Sequence, residues 1–318
     1  MHLEKRKVGN SLKYFLAHSY REGSKVYKFR KYLGQDLKPA LLEERKKIAE
    51  KLILEEIHKY NIIKDPLRIE LSPQEIGFIR KLETSIPLKI SHLSAGDWKT
   101  FSTIFSYNTN AIEGSKLNQE EVKELLEKDK WPNKSKEDIA EALGVDEAIS
   151  YIRTVKEHFS IDLIKKIHQI VFKNSKPFAG KLRKKGEEVV VIDSQGNIIH
   201  EGASPARINH LLRELMRWYN HNKNKYPGLI LGAVIHNQFE NIHPFIDGNG
   251  RVGRIILNNI LIKNRLPPIN IDFVNRGEYY ASLQSYEKNH DLKPTLELYM
   301  KEYRELKKKL GDYKSKKK

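Results

Sequence analysis

Hydrophobic and polar positions along the chain change their period several times, and each change marks an element. Residues 12–34, LKYFLAHSYREGSKVYKFRKYLG, hold two β-rich runs around Arg21-Glu22-Gly23-Ser24, which predicts a hairpin with a Gly-containing turn. The next stretch, KPALLEERKKIAEKLILEEIHKYN, spaces its apolar residues helically against a charged face and predicts an amphipathic helix. A shorter helix is expected through SPQEIGFIRKLE, with Pro87 beyond its end. From about Ser94 the pattern is a succession of helices: SAGDWKTFSTIFSYNTNAIEG, NQEEVKELLEKD, SKEDIAEALGVDEAISYIRTVKEH and SIDLIKKIHQIVFKN. Several open on a Ser or Asn cap, and the first closes at Gly114, where a C-cap glycine is expected. The helical run then breaks at GKLRKKGEEVVVIDSQGNIIHEGA, whose strand-like residues around Ser194-Gln195-Gly196-Asn197 predict a second hairpin, before PARINHLLRELMRWYNHN returns to helix. Two further apolar runs, AVIHNQFENI and VGRIILNNILIKN, bracket a short polar stretch, so that stretch joins two helices. There is no internal repeat and no Pro/Ser/Gly linker. The expected fold is mainly α with two small β-hairpins: an accessory region over 1–90, a helical domain over 91–305 and a Lys-rich tail over 306–318.

At 318 residues the chain has room for one large domain or two ordinary ones with a substantial core. No stretch approaches the roughly 18 uninterrupted apolar residues that a membrane helix needs. The basic start MHLEKRKVGN does not lead into an apolar run, which argues against a signal peptide and makes a cytoplasmic protein the expectation. The absence of cysteine excludes disulfides and thiolate metal sites, so any metal is held by carboxylate, imidazole, amide or phosphate oxygen. That points to Mg²⁺. The net charge of +17 raises an anionic ligand or nucleic acid as a partner. The abundance of Lys, Glu and Ile favours solvated ion-pair networks of the thermophile kind instead, and nucleic acid is not the expected partner.

The polar stretch between the two apolar runs is HPFIDGNGRVGR, residues 243–254. If one helix stops near Pro244 and the next begins around Asn249, then Gly248, Asn249 and Gly250 sit at a helix N-terminus, where outward N–H groups and the helix dipole favour phosphate. Arg251 and Arg254 lie three apart, so they share a face of the new helix as forks suited to phosphate oxygens. Asp247 can offer a carboxylate to Mg²⁺ beside substrate phosphates. A neutral His243 imidazole can take a proton from an attacking hydroxyl. Each part also has an ordinary reading: a structural histidine, a DGNG turn, a pair of surface arginines. His243 and Asp247 as two ligands of a transition metal is a weaker alternative, because no third His or carboxylate stands at a suggestive spacing nearby.

The stretch resembles the signature of the Fic family, HPFx(D/E)GNGRxxR, at all nine specified positions. The resemblance extends through most of residues 94–300: GKLRKKGEEVVVI, following the pattern GK-x-R, resembles the flap hairpin of that fold, and RGEYYASLQSYEKNHDLKPTLELYM resembles its closing helices. It implies a protein adenylyltransferase that moves AMP from ATP to a Tyr, Ser or Thr hydroxyl of a target protein and releases pyrophosphate. By position, His243 then resembles the base, Asp247 the Mg²⁺ ligand, Gly248, Asn249 and Gly250 the cradle of the α- and β-phosphates, Arg251 the β-phosphate contact and Arg254 the γ-phosphate contact. The flap would pin the target by strand addition. His236, seven residues before the base, is expected to be a packed structural histidine. Thr109-Asn-Ala-Ile-Glu113-Gly114 resembles the family's inhibitory pattern (S/T)xxxE(G/N), which implies that Glu113 pairs with Arg254 where the γ-phosphate belongs.

The leading expectation is therefore a self-inhibited adenylyltransferase, with the reverse reaction, removal of AMP from a modified protein, as a related alternative. Other members of the family transfer UMP, phosphate or phosphocholine. A different class, a nucleic-acid-binding regulator that keeps the pocket as a nucleotide sensor, ranks behind because no helix-turn-helix signature follows residue 300. The resemblance also admits a homodimer.

Overall fold

The computed structural model describes residues 1–22, 25–64, 66, 67, 71–192 and 198–315. Its contacts divide the chain into two compact units, Met1–Ile63 and Lys64–Lys318.

The first unit is an antiparallel sheet in the order β1 (His2–Val8), β2 (Ser11–Glu22), β3 (Lys25–Gln35), followed by α1 (Pro39–Lys64). The β2–β3 hairpin lies where the alternation predicts it; Gly23 and Ser24 of its turn lie outside the described residues. Strand β1 is an addition to the expected hairpin, an edge strand of sequence HLEKRKV with too few apolar residues to show a period. Leu16, Phe29 and Leu33 of the sheet are buried, as are Ala49, Ile53 and Tyr60 of α1. The Tyr60 ring meets Tyr20, Tyr27 and Phe29 at centroid separations of 6.2, 5.0 and 6.3 Å.

The second unit is helical, as the pattern predicts. It runs through α2 (Pro73–Ser85), α3 (Ala95–Ile112), α4 (Gln119–Lys128), α5 (Lys136–Thr154) and α6 (Ile161–Phe172) to a hairpin of β4 (Val190–Ile192) and β5 (Ile198–Glu201). It continues through α7 (Ile208–Asn222), α8 (Gly228–Ile242), α9 (Asn249–Lys263), α10 (Arg276–Asn289) and α11 (Lys293–Ser315). The caps are those that the sequence advertises: Ser72, Ser94 and Asn118 form capping boxes with Glu75, Asp97 and Glu121, and Ser135 and Ser160 cap α5 and α6. Helices α8 and α9 are buried on nearly every side and form the centre of the unit, with Ile230, Leu231, Val234, Ile235, Val252, Ile256 and Ile260 at 0 or 1 % exposure. Around them, Gly144 lets α5 approach α6 so closely that a Cβ there would strike the backbone of Val171.

Two boundaries differ from the sequence reading. The contact division falls after Ile63 rather than near residue 90, because α2 is tied to the helical unit: Ile79 is buried, and Glu83 accepts a bond of 2.8 Å from the Leu229 amide. The stretch set apart as a Lys-rich tail, 306–318, is helical through Ser315 and buries Leu306 and Leu310; Lys316, Lys317 and Lys318 lie outside the described residues. The lysines lie between apolar residues at helical spacing, and that spacing prevails over composition. The second hairpin is also shorter than the stretch that predicts it, and its Ser194–Asn197 turn lies outside the described residues.

Candidate active site

Helix α8 ends on His243, whose backbone is left-handed at φ 50° and ψ 62°. That corner turns the chain across the start of α9, and it is gripped from one side. The buried Arg183 donates from Nε to the His243 carbonyl at 2.8 Å and from Nη2 to Ala203 O at 2.8 Å, while its own amide donates to Pro244 O at 2.9 Å. The Ala203 amide donates to Ile242 O at 3.1 Å. The base of the β4–β5 hairpin is thus stitched to the end of α8. Arg183 is the arginine of the GK-x-R pattern; the sequence marks it and leaves its partner unnamed.

Between His243 and α9 the loop is closed by Asn249. Its side chain accepts from the Phe245 amide and donates to the Phe245 carbonyl, both at 2.9 Å. The Asn249 side chain therefore serves the loop, which leaves its backbone N–H for the front of the helix. Gly248 stands at φ 82°, where Phe172 presses so closely that a Cβ would overlap the ring. Gly248, the N-cap of α9, makes no side-chain cap bond to the helix, and its own amide donates to Asp247 Oδ1 at 2.6 Å.

The loop is also held from below by His168 of α6, which carries no local signature in SIDLIKKIHQIVFKN. The Gly180 amide donates to its Nδ1 at 2.8 Å, which leaves Nε2 to donate to the Asp247 carbonyl at 3.1 Å. The ring stacks on Phe245 at 3.8 Å. Burial pushes its pKa down to about 4, so it is neutral in that tautomer at neutral pH.

The two arginines lie on the same end of α9, as their spacing requires, but they are enclosed. Arg254, 1 % exposed, donates from Nε to Thr109 Oγ1 at 2.8 Å, from Nη2 to Thr109 O at 3.0 Å and to Glu113 Oε1 at 2.7 Å, and from Nη1 to Tyr279 OH at 3.3 Å. Burial alone would disfavour its charge; Tyr279 and Glu113 outweigh that and raise its pKa. Thr109 and Glu113 are the first and fifth positions of TNAIEG, so both specified polar residues of that pattern meet one guanidinium. The Glu113 carboxylate also lies over Gly250, where a Cβ would overlap Oε1. Glu113 is the C-cap of α3, and Gly114 follows at φ 91°. The Gly114 amide donates to Ala111 O and the Ser115 amide to Asn110 O, both at 3.0 Å, a Schellman end.

Arg251, 5 % exposed, has its own carboxylate, one that the sequence reading does not include. Its Nη1 donates to Glu141 Oε2 on α5 and to Asn110 Oδ1 at 3.4 Å, its Nη2 lies 3.5 Å from Asp247 Oδ1, and its guanidinium carbon lies 4.6 Å from the Phe172 ring centre. Glu141 is also 3.6 Å from Lys176 Nζ, which in turn reaches Asp247 Oδ2 at 3.5 Å. Nothing in SKEDIAEALGVDEAIS separates Glu141 from the solvated acids around it except its place on the apolar stripe with Ala142 and Val145. Asp247, 43 % exposed, is the only one of these carboxylates on the open side.

Behind Arg254 the interior is protonated or neutral. His236 is wholly buried, with Nε2 3.0 Å from Tyr279 OH and a pKa lowered to about 3 by burial, in keeping with the packed role read from sequence. Burial raises the neighbouring Glu240 to about 8, although Arg254 opposes it.

Residues 158–261, which contain α6, the hairpin, α8, the motif loop and most of α9, match the Fic/DOC family. The chain carries a Fic/DOC domain. Over 188 residues it is 32 % identical to "Protein adenylyltransferase fic-1" of Caenorhabditis elegans, a match that covers 57 % of this chain and 35 % of that one. A second relative, "Protein adenylyltransferase Fic" of Nematostella vectensis, is 32 % identical over 199 residues, covering 59 % and 44 %. The chain thus spans about a third to under half the length of these relatives. Among solved structures, a Fic-domain-containing signaling protein from Bacteroides thetaiotaomicron superposes with a TM-score of 0.61 at 22 % identity, over 76 % of this chain and 98 % of that one. That likeness extends the Fic fold beyond the matched segment. Among the described residues no helix is long and apolar enough to cross a membrane.

Proposed function

We propose that this protein is an adenylyltransferase that moves AMP from ATP to a hydroxyl side chain of a target protein, and that Glu113 holds it in check. The observation that carries the reading is the end of α9, where an uncapped helix N-terminus, two arginines and an acid meet beside His243, with the Glu113 carboxylate 2.7 Å from Arg254 Nη2. An uncapped N-terminus flanked by guanidinium forks is matched to a polyphosphate. The relatives' names supply the group transferred.

In this reading the backbone amides of Gly248, Asn249 and Gly250 hold the α- and β-phosphates, the Arg251 fork takes the β-phosphate and Arg254 the γ-phosphate. His243, fixed at the corner by Arg183, accepts the proton of the target hydroxyl as its oxygen attacks the α-phosphorus, and pyrophosphate departs. The β4–β5 hairpin offers an edge on which an extended target segment adds as a strand. Among the described residues no cluster of three His, Cys, Asp or Glu could hold a metal ion, and Asp247 is a lone, half-exposed carboxylate. That donor set fits Mg²⁺, which takes one or two carboxylates and fills its shell with phosphate oxygens and water. When bound through Asp247, the ion would neutralise charge on the phosphates. Glu113 occupies the guanidinium edge meant for the γ-phosphate and would repel it, so ATP cannot settle with its α-phosphate aligned for attack.

The test is AMP incorporation from labelled ATP with mass analysis, comparing wild type, Glu113→Gly and Glu113→Gly with Arg254→Ala. The single variant modifies itself or an offered protein faster, and the double variant does not. Removal of AMP from a modified protein by wild type, lost in Glu113→Gly, would assign Glu113 to the reverse reaction; an added mass of phosphate or UMP would change the group transferred.

A further inference from the structure

Glu141 belongs to none of the roles above, yet it is among the most deeply buried charged groups at the site. It lies on the second turn of α5, 6 % exposed, between two cations: Oε2 accepts from Arg251 Nη1 and Oε1 lies 3.6 Å from Lys176 Nζ. Its environment differs from that of Glu113. Glu113 reaches the Nη2 edge of its arginine over Gly250, at the mouth of the helix N-terminus. Glu141 takes the Nη1 edge of Arg251, the edge that also meets Asn110, while Phe172 covers a face of the guanidinium. The donors left over are Nε, buried without a hydrogen-bond partner, and Nη2, which points to Asp247, the exposed acid of the loop. A fork held by one edge and one face has a single orientation for the other edge.

We propose that Glu141 is the positioning residue for Arg251: it anchors the guanidinium from behind so that Nη2 faces a ligand phosphate at the start of α9. Glu141 does not compete with that phosphate. Its own burial and its second cation keep it in place when the site fills, because withdrawing one partner from a buried charged pair is strongly unfavourable. The inference rests on the nucleotide reading of the site and adds to it a residue that acts through another.

The test isolates one phosphate. Affinities of the full chain for AMP and ADP are measured by calorimetry in the Glu113→Gly background, which leaves Arg254 open in every arm. With Glu141 present, ADP binds more tightly than AMP, and Arg251→Ala removes the difference. Glu141→Ala lowers the ADP-to-AMP preference about tenfold and leaves AMP affinity unchanged, since it disorders only the fork. Glu141→Gln, whose carbonyl still accepts from Nη1, restores most of the preference. In the Arg251→Ala background, Glu141→Ala has no further effect on it. Equal loss of AMP and ADP affinity would make Glu141 a merely structural residue and overturn the proposal. So would a gain in ADP affinity, which would make it a second competing carboxylate. ADP binding no tighter than AMP even with both Glu141 and Arg251 intact would sink the nucleotide reading itself, a different failure. If Glu141→Ala does not fold, Glu141→Asp serves, because it keeps the charge and withdraws the carboxylate by one methylene; an unchanged ADP preference in that variant overturns the proposal as well.

Discussion

Two arginines three residues apart on α9 each meet a buried or half-buried glutamate, and the two sockets are built differently. Glu113 is the C-cap of α3, 26 % exposed at its side chain, on a helix end closed by a left-handed glycine. Glu141 sits inside α5 at 8 % side-chain exposure, with helix on both sides of it and a lysine behind it. A carboxylate at a helix end can be withdrawn by unwinding a single turn, whereas one in a helix interior moves only with the whole helix. The first socket is suited to release and the second to permanence, although both present the same pair of charges.

The largest effect separates the sockets from the chemistry. His243→Ala is expected to abolish transfer while nucleotide binding persists, because the base acts on the target hydroxyl and the proposed phosphate contacts lie on other residues; calorimetry with ATP beside an AMP-incorporation assay checks both halves, and full activity would remove His243 from the mechanism. Next comes the socket at the helix end. Glu113→Gly is expected to raise AMP incorporation about thirty-fold to several hundred-fold, equivalent to roughly 2 to 4 kcal/mol for a charged pair of this kind. Arg254→Ala in the same chain should cancel that gain.

A third prediction concerns the loop that both sockets flank. The pKa of His168 is lowered from 6.5 to about 4, so between those values the unfolded chain binds the extra proton. Its contribution to stability is complete above pH 6.5 and is lost as pH falls toward 4. His168→Gln should therefore cost less and less relative to wild type on acidification, the difference shrinking by at most about 3 kcal/mol, and urea unfolding at pH 7 and pH 4.5 measures it. Glu240, raised from 4.5 to about 8, works in the opposite direction: its contribution is complete below pH 4.5 and is lost as pH rises toward 8. It is present in both chains and drops out of the comparison. A constant difference would mean that His168 titrates normally.

The smallest effect sharpens the contrast of helix end against helix interior. Gly114→Ala forces a β-carbon into φ 91° with nothing within 4 Å of it, so its cost is purely conformational, about 1 kcal/mol. It should loosen the end of α3 and raise AMP incorporation about fivefold, less than Glu113→Gly does. No change in activity would mean that the last turn of α3 is not the release point.

Much of this was legible from local pattern. The helices, their Ser and Asn caps, the left-handed Gly114 and the start of α9 at Asn249 follow from period, cap chemistry and one long motif, and the approach of Glu113 to Arg254 follows from the resemblance of TNAIEG to the Fic family's inhibitory pattern. What escaped the reading are contacts made across the fold. Glu141 meets Arg251 over a separation of 110 residues and His168 meets Asp247 over 79, and neither carries a local signature because the partner is chosen by packing. Strand β1 was missed for the opposite reason: a charged edge strand is stabilised by its neighbour's backbone, which leaves no apolar period to read.

The corner at His243 has a price in the folding equilibrium. A left-handed backbone is available to glycine without penalty and costs most other residues about 1 kcal/mol, and the chain sets a histidine there. A glycine at 243 would leave the hydrogen bonds of Arg183 to the backbone intact and relax the corner, so that variant should melt slightly higher than the natural chain while transferring nothing. Stability and turnover are set against each other at this one residue. Selection for a more durable fold, acting without regard to function, would favour glycine there and remove the imidazole proposed as the base.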